Sequence, residues 1–255
     1  MNTLHNNIII TATNSPYFDS LLTLIASIHR LNIDLVDKIF VHNLGLEASE
    51  INQLKRLKKI EILEFSDIDK NSHPKLMEPK SYVYKIHCMK CAQKLGQNIL
   101  WIDSGAMFLR SCDSIFNTIK LDDIFLVGDI HRNKDYTHDD CIKHTSATPK
   151  ELNDTQLWAG LVGYKANGRC QHIIDEAYKY AMIPGCLDGN QQNHRHDQSI
   201  LSILASRYSI PKQDIDTYGY WTDQNRNLQS AIQHKSIVFA HRRGHRDHNG
   251  LIYEN

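Results

Sequence analysis

Three short segments of the chain carry acidic, amide and basic side chains in positions where a reactive site could form. In the first, an apolar run over residues 98–102 leads directly into Asp103, Ser104 and Gly105. Such a run predicts a strand buried on both faces, and open α/β sheets bind ligands at the carboxyl ends of these strands. Asp103 is therefore a candidate metal ligand, although an Asp that only turns the chain at a strand end shows the same pattern.

The second segment places Asp197 and Gln198 at the start of an amphipathic helix. A carboxylate at a helix start is stabilised by the helix dipole, so helix capping alone would explain Asp197. Capping does not explain Gln198, and an amide that points into a cleft can hydrogen-bond ligand hydroxyl groups or a developing charge. Both residues are therefore candidate catalytic residues.

The third segment follows the last predicted strand and is rich in histidine and arginine. The imidazole of His241 could complete a metal site with Asp103. Gly244 would let the backbone approach a phosphate group, and Arg243 and Arg246 would neutralise its charge. The alternative is a solvated basic tail, in particular for Arg246 and the histidines on either side of it.

Strands and helices alternate along the chain, which predicts an α/β protein with a mixed, mostly parallel central sheet flanked by helices. A length of 255 residues fits a single domain of this kind. The predicted strands are 7–12, 38–42, 60–65, 98–102, 123–128, 157–164 and 236–240. The predicted helices follow the cap Asn14-Ser15-Pro16, begin at Ser49, and span residues 81–95 and 197–208.

Two segments lack a clear period. Residues 129–155 are rich in His, Asp, Lys and Thr, and a connection of this length predicts a lid, a binding loop or a disordered insert. This segment is the candidate for the side that faces an acceptor. Residues 184–194 are the second such segment. Acceptor specificity is expected in these irregular parts of the chain.

Composition excludes several classes of protein. Lys plus Arg equal Asp plus Glu at 29 each, so no nucleic-acid partner is expected. No apolar run is long enough to span a membrane, and no secretory signal is recognisable, so a cytoplasmic protein is expected, with peripheral association at the inner membrane face left open. The Cys88-x-x-Cys91 pair has no second pair, which favours reduced thiols over structural zinc.

Taken in chain order, these motifs resemble the GT-A-fold glycosyltransferases of family 8, which includes glycogenin and bacterial lipopolysaccharide galactosyltransferases. The resemblance spans nearly the whole chain and implies a Rossmann-like domain, with a nucleotide-binding part over about 1–128 and an acceptor side over about 129–255. It also implies a UDP-sugar donor, a Mn²⁺ or Mg²⁺ ion, a glycan or glycolipid acceptor, and retention of anomeric configuration. The matching segments are 10–17, Lys85, 100–105, 158–160, 197–198 and 241–244.

The resemblance also implies roles for individual residues. Asp103 and His241 would hold the metal, and Asp197 and Gln198 would act at the donor sugar. Donor contacts are expected from Thr11, Ala12, Thr13, Asn14, Tyr17, Lys85, Ser104, Gly105, Ala159, Gly160, Arg243, Gly244 and Arg246.

The sequence departs from the family at two positions. Gly105 stands where the family has the second Asp of its DxD motif, and Asp247 stands where it has a Lys, so Arg243 or Arg246 would have to supply that charge. The Trp-x-Asp-Ser strand and the Asp-Gln-Ser helix start also resemble a group of uncharacterised proteins similar to nucleotide-diphospho-sugar transferases. That second resemblance accommodates Gly105 better.

Four other functions compete with a glycosyltransferase. A nucleotidyltransferase or a sugar-nucleotide hydrolase would use the same sheet, and Gly105 makes a catalytically inactive nucleotide-sugar-binding protein a reasonable alternative. A zinc hydrolase built from the 15 histidines is the most distant, because no H-E-x-x-H or equivalent spacing occurs.

Overall fold

The protein is built on a six-stranded sheet with helices on both faces. The computed structural model describes residues 4–221 and 226–254, so residues 1–3, the start of the segment that lacks a recognisable secretory signal, lie outside it. The strands are β1 (His5–Thr13), β2 (Lys38–Asn43), β3 (Ile60–Leu63), β4 (Gly96–Ile102), β5 (Ala106–Phe108), β6 (Ile124–Arg132), β7 (Thr155–Lys165), β8 (Tyr220–Trp221) and β9 (Val238–Ala240).

Eleven α-helices connect these strands in the described part of the chain, together with short 3-10 turns at 15–17, 79–81 and 133–136. None of these helices is both long and apolar enough to cross a membrane. They are α1 (Phe18–Asn32), α2 (Ala48–Leu54), α3 (Asp67–Ser72), α4 (Val83–Ala92), α5 (Asp113–Asp122), α6 (Asp139–Thr145), α7 (Pro149–Asn153), α8 (Gln171–Ala181), α9 (Asp197–Arg207), α10 (Ile215–Tyr218) and α11 (Leu228–Gln233).

The large sheet is mixed and mostly parallel, as predicted. Its strand order is β3-β2-β1-β4-β7-β6, and β3, β2, β1 and β4 pair in parallel. The exception is β7, which runs antiparallel to both β4 and β6. Because β1 and β4 are parallel neighbours, their carboxyl ends lie at the same edge of the sheet, where ligands bind in α/β folds.

Two apolar cores pack against the two faces of this sheet. Side chains alternate between the faces of a strand, so Ile9 of β1 packs into the core formed with α1, whereas Ile8 and Ile10 pack into the core formed with α4, α8 and α9. All three are fully buried, and each buried Ile side chain contributes about 1.5–3 kcal/mol to folding. The double-sided burial explains the continuous apolar run.

A smaller sheet joins the end of the chain to the loop after β4. Its order is β5-β9-β8, and Ala106 of β5 lies opposite Ala240 of β9. One residue further out, the Arg242 amide donates to the Gly105 carbonyl over 2.7 Å. The small sheet therefore fixes the histidine- and arginine-rich segment beside the Asp103 loop.

Several predicted helix boundaries were wrong. The second helix begins at Ala48, because Glu47, and not Ser49, forms the capping box with Glu50. The helix predicted over 81–95 spans 83–92, since Tyr82 adopts a left-handed conformation (φ 59°) that ends the preceding turn. Gly96 is the first residue of β4 and does not terminate the helix.

The prediction of an irregular segment over residues 129–155 was also wrong. Strand β6 continues to Arg132, and a 3-10 turn, α6 and α7 follow. Thr148 caps α7 by accepting a hydrogen bond from the Glu151 amide, and Pro149 occupies the first turn. The six cysteines are free thiols, and Cys88 and Cys91 lie in α4 as predicted.

Candidate functional site

A cavity of about 990 Å³ opens at the carboxyl ends of β1 and β4. Its walls come from both halves of the chain, so the edge of the sheet that the topology favours carries a large concave surface, as small-molecule sites usually do. The residues that line it include Ala12, Thr13, Asn14, Tyr17, Tyr82, Tyr84, Lys85, Trp101, Asp103, Ser104, Gly105, Asp129, Trp158, Ala159, Gly160, Arg195, His196, Asp197, Gln198, Trp221, Arg242 and Arg243.

Lys85 joins the first two predicted clusters. Its ammonium lies 2.9 Å from Asp103 Oδ1 and 3.0 Å from Asp197 Oδ2. The side chains of Lys85 and Asp197 are only 3% and 4% exposed, whereas that of Asp103 is 46% exposed. The indole of Trp101 also donates to Asp103 Oδ1, over 2.8 Å. Both contacts engage Oδ1, so they leave Oδ2 of this half-exposed carboxylate available to a ligand.

The ion pairs hold Lys85 in its charged form. Burial disfavours the ammonium, but Asp103 and Asp197 outweigh burial and hold the pKa of Lys85 above its ordinary value. For Asp197 the balance is reversed, because burial raises the pKa of its carboxyl group more than Lys85 lowers it. The site therefore depends on Lys85 to keep a carboxylate in a buried position.

Two stacked rings lie at the starts of the helices that carry this ion pair. Tyr82 precedes α4, His196 precedes α9, and their ring centres are 5.0 Å apart with an angle of 18° between the planes. His196 (φ 52°) is, like Tyr82, a residue other than glycine with positive φ. Strained backbone of this kind persists where the surrounding structure enforces it, often at ligand sites. The stack and the ion pair together join the two helix starts.

Asp197 is the first residue of α9, so it does not cap the helix, and His196 holds the capping position. Gln198 faces the cavity and is held at both ends of its amide. Its Oε1 accepts from the Ala159 amide over 3.4 Å, and its Nε2 donates to Gln156 over 3.0 Å and to Asp129 over 3.3 Å. A side chain fixed by this many partners is already oriented before a ligand arrives.

Gly105 is enclosed by the backbone of the C-terminal segment. A Cβ atom at this position would lie 2.9 Å from both the Cα atom and the carbonyl oxygen of Arg242. Backbone atoms cannot move aside as the end of a side chain can, so no carboxylate side chain fits here without shifting this segment. This contact gives a physical reason why the position of the second Asp is a glycine.

The predicted metal ligands fit a divalent cation only in part. Among residues 4–221 and 226–254, no group of three or more His, Cys, Asp or Glu side chains could hold a metal ion. Asp103 offers Oδ2. His241 is buried, neither of its ring nitrogens has a hydrogen-bond partner within those residues, and burial lowers its pKa to about 4, which leaves a neutral imidazole. Any such ion would take most of its ligands from a bound diphosphate and water.

Four of the predicted ligand-binding residues lie elsewhere than on the described cavity wall. Thr11 is fully buried inside the sheet, opposite Val41. Arg246 forms an ion pair with Asp19 at 3.0 Å beside a second, smaller pocket that Arg243 also lines. His241 and Gly244 are the other two. The remaining eleven predicted contact residues and the Asp197–Gln198 pair all line the cavity.

Sequence reasoning missed the aromatic character of the cavity. Trp101, Trp158 and Trp221 are the chain's three tryptophans, and all of them line it together with Tyr17, Tyr82 and Tyr84. The Arg243 guanidinium lies 5.2 Å from the centre of the Tyr17 ring. Trp158 entered the prediction only as part of the matching segment 158–160. No periodic signal could have shown that these rings meet, because they come from separate segments of the chain.

Comparison with solved structures finds this fold in glycosyltransferases. The bifunctional glycosyltransferase WbbM matches with a TM-score of 0.62 at 13% identity, over 94% of this chain and 46% of WbbM, so this chain spans less than half of that protein. The galactosyltransferase LgtC, in complex with donor and acceptor sugar analogues, matches with a TM-score of 0.58 at 11% identity, over 95% and 91% of the two chains.

Mouse xyloside xylosyltransferase 1 matches with a TM-score of 0.54 at 9% identity, over 95% of this chain and 99% of that one. No protein family and no curated protein matched the sequence. Identities this low establish the fold alone. The chain has the GT-A fold, a single mixed α/β domain whose solved neighbours are glycosyltransferases.

Proposed function

We propose that the protein is a glycosyltransferase that transfers a hexose from a nucleotide sugar, with UDP as the nucleotide, to a glycan or glycolipid acceptor. The observation that carries this proposal is the ion-paired cluster of Asp103, Lys85 and Asp197 at the wall of a large cavity, at the sheet edge where α/β folds bind ligands. The GT-A fold supports it.

The proposed reaction breaks the bond between the sugar C1 atom and a diphosphate oxygen, and the bonding electron pair stays on the diphosphate. The acceptor hydroxyl oxygen forms the new bond to C1 and passes its proton to an oxygen of the leaving diphosphate. Negative charge therefore develops on the leaving group, where fixed positive charges stabilise the transition state most. Arg242 and Arg243 line the cavity and would supply such charge, and Lys85 would hold Asp103 and Asp197 in place.

Asp197 and Gln198 would act at the sugar. Asp197 is buried in its ion pair with Lys85, which suits a carboxylate that accepts hydrogen bonds from donor hydroxyl groups. Gln198 is fixed by Ala159, Gln156 and Asp129, so its orientation toward the cavity requires no ordering on binding. We propose retention of configuration, in which the acceptor approaches from the side of the leaving diphosphate.

A divalent cation belongs to the proposal as a partner of the diphosphate. A Mn²⁺ or Mg²⁺ ion held by Asp103 and His241 would supply positive charge to the leaving group. Because these two residues provide few of the ligands that such an ion needs, we expect cation binding to require the nucleotide.

Calorimetric titration of UDP, UDP-glucose and UDP-galactose, with and without Mn²⁺, tests the function. We expect the wild-type protein to bind UDP, Mn²⁺ to strengthen the binding, and Asp103→Ala to abolish that enhancement. Asp34→Ala serves as the matched control, because Asp34 is an exposed carboxylate between α1 and β2, away from the cavity. Absence of UDP binding to the wild-type protein under all these conditions would contradict the proposed function.

One observation favours a second candidate. The enclosed Gly105 position leaves the 103–105 segment with one carboxylate, Asp103, where the resembling family has two, which fits a nucleotide-sugar-binding protein without turnover. Slow hydrolysis of the donor in the absence of an acceptor separates the two. A transferase releases UDP from the bound UDP-sugar over hours, whereas a binding protein returns the UDP-sugar intact.

A further inference from the structure

Trp158 packs in an unusual position in the cavity wall. Its indole is only partly buried, and it rests against two glycines that lack the room for a side chain. A Cβ atom at Gly160 would lie 2.5 Å from the indole ring, and one at Gly219 would lie 2.3 Å from it. The ring therefore occupies the space that side chains at these two positions would fill, and the two glycines fix where it lies.

Trp158 also lies in the part of β7 that contacts Asp103 and Gln198. The Gly160 carbonyl accepts a hydrogen bond from the Asp103 amide over 3.0 Å. The amide of Ala159, which lies between Trp158 and Gly160 in the chain, donates to Gln198 over 3.4 Å. Trp158 thus belongs to the short stretch of β7 that holds Asp103 on one side and Gln198 on the other. The indole lines the same cavity as Asp103 and Gln198.

The order of strands indicates which part of a nucleotide sugar would lie against Trp158. Tyr17 and its neighbours follow β1, whereas Trp158 lies on β7, and β4 with Asp103 separates the two strands. A donor whose nucleotide lies at the end of β1 and whose diphosphate lies near Asp103 would direct its sugar toward β7. An indole offers such a sugar an apolar, flat surface, and aromatic surfaces of this kind are common in ligand sites.

We infer that Trp158 is a specificity-determining residue of the proposed enzyme, and that its indole packs against the apolar C–H face of the donor hexose and not against the nucleotide. This inference rests on the proposed function. It predicts that Trp158 contributes to the affinity for a UDP-sugar beyond the affinity for UDP alone. It also predicts that Trp158 contributes to the choice among hexoses, because hydroxyl orientation decides which C–H groups a ring presents.

The test compares UDP with UDP-galactose and UDP-glucose by calorimetry on wild type, Trp158→Phe and Trp158→Ala. For Trp158→Ala we expect the affinity for the preferred UDP-hexose to fall about tenfold, the size typical of a lost aromatic contact, while the affinity for UDP stays within about twofold. Trp158→Phe keeps a ring and should lose less. The difference in affinity between the two hexoses should shrink in both variants.

A second pair of variants tests the position of the Trp158 indole without a substitution in the cavity wall. Gly219 has ordinary extended backbone (φ −148°), so Gly219→Ala is compatible with the backbone but must displace the indole. We expect it to weaken UDP-hexose binding and spare UDP binding, as Trp158→Ala does. Gly128→Ala is the matched control, since its Cβ would meet only Gln213 and Lys212, at 3.5 and 3.7 Å, which are ordinary contacts.

The outcomes separate this inference from the proposed function. Equal losses of UDP and UDP-hexose affinity in Trp158→Ala, or no loss of either, would overturn the role of Trp158 and leave the glycosyltransferase proposal standing. Failure of the wild-type protein to bind UDP or any UDP-hexose would overturn both.

Discussion

Lys85 keeps its charge in a buried position only because two carboxylates face it. The ion pair with Asp197 is almost completely removed from solvent, and a buried pair of this kind stabilises a fold mainly by avoiding the cost of an unpaired charge. The pair also joins α4 to α9, so the electrostatics of two side chains determine how two helix starts meet. Loss of either partner should reduce both the stability of the protein and its affinity for ligands.

Lys85→Met should destabilise the protein by about 3–5 kcal/mol at neutral pH, because it leaves the Asp197 carboxylate buried without a partner. Urea unfolding measures the loss. Lys75→Met is the matched control, since Lys75 pairs with Asp188 at 2.6 Å but both side chains are more than 40% exposed, and such surface pairs contribute about 1 kcal/mol or less.

The loss in Lys85→Met should also depend on pH. Burial holds the pKa of Asp197 above its unfolded value of 3.8, and removal of Lys85 raises it further. The cost of the unpaired carboxylate is therefore greatest above the folded pKa and disappears as protonation proceeds toward the unfolded pKa. Equal losses for Lys85→Met and Lys75→Met at all pH values would show that the Asp197 carboxylate does not need its partner.

The individual site residues could largely be predicted from the sequence, whereas the contacts between their side chains could not. Asp103 and Asp197 were named because they follow recognisable patterns at a strand end and a helix start, and Lys85 was named from the family resemblance alone. Nothing in those patterns shows that one ammonium lies between two carboxylates, since the three residues are far apart in the chain. Trp158 was missed as a site residue because the position of its indole depends on Gly219, which lies 61 residues further along the chain.

At the scale of elements, the β4–β5 loop and the segment after β9 act as one unit. Antiparallel pairing of β5 with β9 brings Arg242 over Gly105, and the hydrogen bond between their backbones holds it there. The sequence predicted both segments as parts of a site but could not show that one covers the other. This contact decides what residue position 105 tolerates.

Gly105→Ala should therefore destabilise the protein by about 1–3 kcal/mol, the usual cost of inserting a methyl group where the packing has no room. We expect Gly105→Asp to cost at least as much and to bring no gain in metal affinity, because the backbone of Arg242 occupies the space. Urea unfolding and Mn²⁺ titration measure the two effects, with Gly128→Ala as the reference for a tolerated methyl group. A stable Gly105→Asp protein with stronger Mn²⁺ binding would show that the segment moves aside.

The errors in element prediction have identifiable causes. Residues 129–155 contain helices that are too short for a hydrophobic period, so α6 and α7 could be found only from their caps. The Thr148-Pro149-x-Glu151 pattern is such a cap and was present in the sequence. In contrast, the long strands β1, β4 and β7 were predicted well, because burial on both faces leaves a continuous apolar run.

On the scale of the whole molecule, buried histidines tie stability to pH, and two of them, His42 and His194, lie outside the predicted metal site. Burial, with a smaller contribution from a neighbouring histidine, lowers the pKa of His42 and of His194 from 6.5 to about 4. Each also has one ring nitrogen with no hydrogen-bond partner in the described part of the chain. Because the folded pKa lies below the unfolded one, their contribution to stability is full above the unfolded pKa and is lost as the pH falls toward the folded pKa.

We expect the free energy of unfolding to decrease between about pH 6.5 and about pH 4, with up to about 1.4 kcal/mol per pH unit from each of the two histidines. Urea unfolding at a series of pH values measures this slope. His42→Gln and His194→Gln cannot take up the proton, so each variant should have a shallower slope than wild type, and the double variant the shallowest. An unchanged slope in the double variant would assign the acid sensitivity to other groups.

The gathering of all three tryptophans around one cavity has a practical consequence. A chain of 255 residues with indoles at positions 101, 158 and 221 has none anywhere else, so its ultraviolet emission originates almost entirely from the walls of this single cavity. The protein carries its own optical probe, because all three indoles line the cavity in which a ligand would bind. Unlabelled protein can therefore be screened against ligands by the intensity and wavelength of its own fluorescence.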